Sequence, residues 1–174
     1  RAVLGQVLRL GLPSGVQNSV IAIANLVVQS NINAFGDTAM AGCGSYSKVE
    51  GFVFLPIMSL TLAMTTFVSQ NLGAGRPDRV RAGARIGILM TTGFAELVGI
   101  AFFLLAPTLI GLFSDSPQVV AFGIRQARVE ALFYCLLGFS HGAASILRGA
   151  GKAMTPMAVM LAVWCVFRIC YITL

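Results

Sequence analysis

Ionisable side chains interrupt apolar stretches of this sequence, where an unpaired charge is costly. Glu96 lies inside the run "IGILMTTGFAELVGIAFFLL", and Glu50 opens the run "EGFVFLPIMSL". Glu130, Tyr134 and His141 fall on one drifting helical face further along the chain. Because ionisable groups within membrane spans usually mark ion or proton paths, these five residues are candidates for ion or proton coupling.

Glu130 and His141 each also have a structural interpretation. Glu130 can pair with Arg125 or Arg128 near the outer interface, and this alternative stays open. For His141, the only histidine of the chain, the pattern favours a hydrogen-bonded packing residue over a proton relay.

Glu50 and Glu96 have structural interpretations of their own. Glu50 can lie near a helix N-terminus at an interface, where negative charge is favoured. Glu96 and Arg168 both fall deep in apolar runs, where a charge needs a partner or water. A buried pair between Arg168 and a glutamate, holding two helices together, is the economical interpretation, with a functional switch as the alternative.

Uncharged polar side chains line one face of the first apolar run, within a stripe of roughly 100° at helical spacing. Such residues commonly form hydrogen bonds between membrane helices, but a stripe of this length equally fits a face that lines a water-filled cavity. Amides both donate and accept hydrogen bonds, so the face would tolerate varied solutes. The stripe consists of Ser14, Asn18, Asn25, Gln29 and Asn33.

Catalytic and metal-binding patterns do not emerge from the sequence. The segment "GAGK" lacks the other residues of a phosphate loop, and the four cysteines show no CxxC spacing. With a single histidine, the chain also lacks a pattern for metal or catalytic histidines. We therefore expect no enzyme activity, no metal and no cofactor apart from a coupling ion, H⁺ or Na⁺.

Composition identifies the setting of these residues. Hydrophobic residues make up 57% of the chain and charged residues only 10%, whereas soluble domains carry about a quarter charged residues. The net charge of +6 does not point to nucleic acid, because the basic residues lie between apolar runs. That arrangement is typical of an integral membrane protein surrounded by lipids.

Five runs are long and apolar enough to cross a bilayer, which takes about 20 residues. Strand-like alternation is not sustained, so the sequence predicts an all-α bundle of about five transmembrane helices in one lobe, residues 1–174. The chain starts without Met and stops inside an apolar run, which predicts a piece of a longer protein. Prolines mark points where spans start or bend: Pro13, Pro56, Pro107 and Pro156. The predicted helices are about 10–35, 51–72, 86–112, 119–147 and 156–174.

Basic residues predict the orientation of the bundle. If the spans alternate in direction, eight of the twelve Lys and Arg residues fall on one side. The positive-inside rule makes that side cytoplasmic, and a basic patch that binds anionic lipid is compatible with it. The eight residues are Arg1, Arg9, Arg76, Arg79, Arg81, Arg85, Arg148 and Lys152.

The segments "GLPSGVQNSV", "AGCGSYSKVEGFVFLP", "TTFVSQNLGAGRPDRVRAG", "LRGAGKAMTPM" and "WCVFRICY" resemble the multidrug and toxic compound extrusion (MATE) family. The resemblance covers essentially the whole chain. It implies helices seven to eleven of a twelve-helix, two-lobe transporter of the cell (inner) membrane, without the N-terminal lobe and the last helix. It further implies export of small cationic drugs in exchange for protons or sodium ions.

The resemblance also assigns a role to the arginine-rich loop. It places the end of the eighth helix at the cytoplasmic side, as structural and gating machinery rather than a substrate site. The glycines there allow a tight turn, and the two amides can satisfy helix-end or loop backbone groups. The residues are Gln70, Asn71, Gly73, Gly75 and Arg76.

One position departs from the family pattern. NorM-type members place a cation-binding acid in the seventh helix, at a position occupied here by Ile21. The chain is more similar to the DinF-like, gut-bacterial branch, where a coupling acid lies in the N-terminal lobe. Two alternative functions remain: a flippase for lipid-linked oligosaccharides from the same superfamily, and a structural membrane protein that transports nothing.

Overall fold

The computed structural model describes residues 2–173, and every regular element in that range is helical. Arg1 and Leu174, which the topology and span predictions include, lie outside this range, as does the side chain of Arg9. A π-helical segment, Leu161–Phe167, joins the last two α-helices. The α-helices are α1 (Ala2–Asn33), α2 (Asp37–Gly73), α3 (Pro77–Gly111), α4 (Pro117–Ala131), α5 (Tyr134–Gly149), α6 (Met154–Met160) and α7 (Arg168–Thr173).

Helix α2 is longer than the sequence predicted. It begins at Asp37 instead of near residue 51, so the segment "GDTAMAGCGSYSK" is mostly helix and not a connection. Its small residues allow α4 to approach closely: a Cβ added at Gly42 would lie 3.0 Å from Phe122 Cβ and 3.1 Å from the Val119 carbonyl oxygen. Packing against another helix therefore makes this turn-like composition helical.

Helix α3 also begins earlier than predicted, directly after the arginine-rich turn. Pro77 occupies the start of the helix, where its missing N–H costs nothing. Asp78 lies in the first turn, where the positive end of the helix dipole stabilises its negative charge. The loop predicted over residues 73–85 thus shrinks to residues 74–76.

Two turns at one end of the bundle have the same hydrogen-bond pattern. The Arg76 N–H donates to the Asn71 carbonyl at 2.9 Å, with Gly75 at a φ of 67°. After α5, the Lys152 N–H donates to the Leu147 carbonyl at 2.9 Å, with Gly151 at a φ of 77°. Both are glycine-terminated helix ends of the Schellman type.

The two turns lie side by side. A Cβ added at Gly149 would be 2.6 Å from the Thr65 carbonyl oxygen, and the Thr65 hydroxyl donates to the Ser145 carbonyl at 3.2 Å. The C-terminal ends of α2 and α5 are therefore neighbours. The arginines that follow α2 lie at the same end of the bundle as the basic residues near Gly151. The predicted orientation places both groups on one side of the membrane.

The core forms where α2, α3, α4 and α5 meet, and α1 joins through α2, α6, α7 and the π segment. Many large apolar side chains point outward, which fits a lipid-facing surface. Leu26, Leu89 and Leu104, for example, are 70%, 73% and 69% exposed. The buried cluster consists of Tyr46, Val49, Phe102, Ala106, Ile110, Ala127 and Tyr134.

Helix length and composition indicate which of the described helices can cross a membrane. Within residues 2–173, three helices qualify on their own: α1 over residues 11–33, α2 and α3. Helices α4 and α5 qualify only as a pair, bent by 56° at the break between them. The last predicted span is a shorter apolar helix, Met154–Phe167, followed by α7.

Candidate ion-coupling site and polar face

The carboxylate of Glu130, in the last turn of α4, is the centre of a polar cluster inside the bundle. The Tyr46 hydroxyl of α2 donates to Glu130 Oε2 at 2.5 Å, and Gln126 Nε2 donates to Oε1 at 3.0 Å. Gln126 lies one helical turn before Glu130, so α4 presents both on the same face. Each carboxylate oxygen therefore accepts a hydrogen bond.

Three aromatic rings lie in a row beside the Tyr46 hydroxyl, one pair stacked and the other tilted. The Tyr46 ring stacks on Phe102 with centroids 5.9 Å apart, and Phe102 meets Tyr134 at 6.4 Å. All three side chains are buried. Because the rings cannot move independently, Tyr46 meets the carboxylate in a fixed geometry.

Two cavities flank this cluster, and Glu50 borders both. The larger, of about 430 Å³, is shared by Glu50, Glu130, Tyr134, Ser140 and other residues of α4, α5 and the π segment. The smaller, of about 320 Å³, places His141 opposite Glu50. The structure thus brings together four of the predicted coupling residues: Glu50, Glu130, Tyr134 and His141.

His141 makes the contacts of a packing residue. Its Nδ1 lies 3.2 Å from the Leu137 carbonyl oxygen, one turn earlier on α5, and 3.4 Å from the Ser140 hydroxyl. The ring meets Phe54 edge-on at 5.2 Å. It nevertheless borders the same small cavity as Glu50, so its predicted part in a relay stays a prediction.

Glu96 lies apart from the residues that line these cavities. Its Oε2 accepts a hydrogen bond of 3.1 Å from the backbone N–H of Cys135, at the start of α5. The sequence grouped Glu96 with the coupling acids, whereas the structure places it at the break between α4 and α5.

Two basic side chains contact aromatic rings. The Arg128 guanidinium lies 5.3 Å from the Phe103 ring centroid, and the Lys48 ammonium lies 5.7 Å from that of Phe113. Arg125 borders a third cavity, of about 410 Å³, together with Gln126 and Glu130.

The polar stripe of α1 lies mainly on the exposed side of that helix. Asn18, Asn25, Gln29 and Asn33 are exposed and Ser14 is partly buried, whereas Gln17 and Ala24 are buried. Gln29 Nε2 donates to Asn33 Oδ1 at 3.1 Å. Most of the stripe is therefore available to another surface.

Asn25 connects this stripe to α7, the last helix of the described residues. Arg168 Nη1 of α7 donates to Asn25 Oδ1 at 3.1 Å. The sequence predicted a glutamate partner for Arg168, and the charge of Arg168 does act on the Glu50 carboxylate. The amide contact with Asn25 was not anticipated.

The turn after α2 uses the residues assigned to it, with some differences. Gly75 adopts the left-handed conformation, whereas Gly73 is the last helical residue of α2. Asn71 Nδ2 donates to the Phe67 carbonyl at 2.8 Å, and the Ala74 N–H donates to the Gln70 carbonyl at 3.0 Å. Gln70 and Arg76 side chains are exposed.

Tyr46 is the functional candidate that sequence reasoning missed. It lies in "AGCGSYSKVEG", which was interpreted as a connection, so its side chain was never placed in a helix. Read as helix, Tyr46 and Glu50 are four residues apart and share a face. That spacing was the available signal.

The fold defines the class: an all-helical, multi-pass membrane protein. A solved structure of a MOP superfamily transporter from Pyrococcus furiosus superposes with a TM-score of 0.86 at 19% identity, over 91% of this chain and 35% of that one. The MatE family model matches residues 13–173, and the chain belongs to that family.

Several curated relatives carry names from drug resistance, and one, of Shewanella oneidensis, is named an FAD transporter at 26% identity over 92% of this chain and 36% of the relative. The chain is 29% identical to the probable multidrug resistance protein YpnP of Bacillus subtilis, over 93% of this chain and 36% of the relative. It is 28% identical to the probable multidrug resistance protein NorM of Thermotoga maritima, over 91% and 34%. The chain thus spans about a third of the length of these relatives.

Proposed function

We propose that the chain is one lobe of an ion-coupled antiporter that exports cationic organic compounds, with Glu130 as the site of the coupling ion. The observation that carries the proposal is the Glu130 carboxylate, held by Tyr46 and Gln126 beside a cavity that it shares with Glu50. The multidrug resistance names of relatives support drug export, and the restriction to cationic compounds is part of the proposal.

The geometry suits reversible ion binding. An ionised carboxylate in a membrane is stabilised here by two donors, and a bound H⁺ or Na⁺ would neutralise it instead. Because the ion changes which hydrogen bonds Glu130 can make, its binding can favour one conformation over another. The second carboxylate, Glu50, would add attraction for a cation in the same cavity.

The substrate path needs a second surface. Secondary transporters with repeated lobes bind substrate at the interface between them, near the bilayer midplane. The exposed amide stripe of α1 suits such an interface because amides accept varied polar partners. We infer that an N-terminal lobe faces this stripe, in a cell membrane with the Arg76–Arg85 segment in the cytoplasm.

The experiment is ethidium efflux from cells that lack other pumps and express the full-length protein. Glu130→Gln keeps the shape of the side chain and one acceptor oxygen but removes its negative charge and its second acceptor. Export should fall to the background of cells without the protein. Asp78→Asn is the matched control, since Asp78 is exposed at the start of α3 outside the cavities, and it should export normally.

The coupling ion is identified separately in membrane vesicles. A sodium ionophore should stop export if Na⁺ is used, and a protonophore in sodium-free buffer should stop it if H⁺ is used. Export by Glu130→Gln at the wild-type rate would refute the role of Glu130. Failure of the wild-type protein to move any cationic dye under either gradient would refute the proposed antiport.

A further inference from the structure

The bend of the fourth crossing has no cause within its own sequence. Helices α4 and α5 meet at 56° across Leu132 and Phe133. Sharp kinks almost always arise at proline, at glycine or serine pairs, at π-bulges, or where a foreign group enters the hydrogen-bond ladder. Residues 124–137 contain neither proline nor glycine. The cause must therefore come from a neighbouring helix.

Glu96 of α3 supplies the foreign group. In an unbroken helix the Cys135 N–H would donate to the Ala131 carbonyl, four residues earlier. In this structure it donates to Glu96 Oε2 at 3.1 Å. A carboxylate at the N-terminal end of α5 also satisfies an amide there and complements the helix dipole.

Glycine lets α3 come close enough for this contact. Gly99 lies on the same face as Glu96, about one turn later. A Cβ added there would lie 2.8 Å from the Ala131 carbonyl oxygen and 3.0 Å from Tyr134 Cβ. The backbone of α3 thus packs against both sides of the break. The Ala131 carbonyl there does not receive the Cys135 N–H, which would be its donor in an unbroken helix.

We propose that Glu96 is a positioning residue that holds the fourth crossing bent by accepting the Cys135 amide in place of the Ala131 carbonyl. The break separates Glu130, at the end of α4, from Tyr134, at the start of α5. Both border the 430 Å³ cavity. By fixing the angle between the two helices, Glu96 sets how Glu130 and Tyr134 face that cavity.

This inference rests on the proposed function only for the role of Glu130 in binding the coupling ion. Its main test is a distance measurement, which does not depend on transport. Spin labels at the exposed positions 121 and 150 of a background without native cysteines would report the distance across the break. Straightening the pair from 56° would lengthen that distance by about 5 Å, from the helical rise of 1.5 Å per residue.

Two substitutions separate the hydrogen bond from the charge. Glu96→Gln retains an oxygen that can accept the Cys135 amide, so it should keep the wild-type distance. Glu96→Leu removes the acceptor, which lets the amide return to Ala131, so the distance should increase. Glu96→Ala removes the acceptor with less bulk, and it serves if the leucine variant does not yield folded protein.

The efflux assay adds a second readout. Glu96→Gln should retain most ethidium export, whereas Glu130→Gln should not, because one residue positions and the other binds the ion. An unchanged distance in both acceptor-free variants would overturn the proposal. A lengthened distance in Glu96→Gln would also overturn it, since charge and not the accepted hydrogen bond would then hold the bend. Either result leaves the assignment of Glu130 untouched.

Discussion

Replacing Gly138 by alanine should destabilise the contact between α3 and α5. The Cβ added at Gly138 would lie 2.6 Å from Ala95 Cβ and 2.6 Å from the Thr91 carbonyl oxygen. Non-bonded carbon atoms settle at about 3.5–4.0 Å, so the helices must separate by about 1 Å. Both obstructing atoms belong to backbone or to a Cβ and cannot rotate away.

The expected cost is that of overpacking, about 1–3 kcal/mol. Such a loss reduces the ratio of folded to unfolded protein by about 5- to 140-fold. The measurement is the midpoint of thermal unfolding in detergent, monitored as the loss of the monodisperse peak on size-exclusion chromatography. Gly138→Ala should show a clearly lower midpoint than the wild type.

Gly93→Ala is the matched control within α3. A Cβ added at Gly93 meets nothing within 4 Å, so the variant should be as stable as the wild type or gain up to about 1 kcal/mol. Combining Ala95→Gly with Gly138→Ala should recover part of the loss, because one of the two contacts is removed. A Gly138→Ala protein with an unchanged midpoint would show that the two helices do not pack as described.

Three further substitutions test the turn, the cluster and the polar face. Gly75→Ala should lower the free energy of unfolding by about 1–2 kcal/mol, because its φ of 67° disfavours a side chain, whereas Gly73→Ala within α2 should not. Tyr46→Phe removes a donor to the ion-free carboxylate and should strengthen coupling-ion binding about tenfold or more, measured as the half-maximal ion concentration for export. Asn25→Leu with Gln29→Leu should abolish drug resistance without reducing the amount of protein in the membrane.

The sequence was sufficient for the features that composition and periodicity encode. Apolar run length identified the helices, and position within or beside the apolar runs marked Glu130 and Glu50 as separate candidates for ion coupling. The glycine-terminated turn at Gly75 was also readable, because turn chemistry is local. In each case the physical cause lies within a few residues of the feature.

Features that depend on distant partners were not readable. The early start of α2 depends on Gly42 meeting Phe122 of α4. The prolines of α1, α2 and α3 lie inside continuous helices, whereas the one broken crossing contains none at its break. A carboxylate from another helix causes that break, and no local sequence pattern predicts it.

The divided fourth crossing has a consequence for membrane insertion during synthesis. Helix α4 carries Arg125, Arg128 and Glu130, and an arginine at mid-membrane costs about 2.5–3.5 kcal/mol on insertion scales. By composition α4 crosses only together with α5, while α2 leaves the ribosome earlier and brings the Tyr46 hydroxyl that Glu130 needs. A nascent chain that ends before α5 should therefore keep α4 at the membrane surface, and the completed hairpin should enter against helices that are already in place.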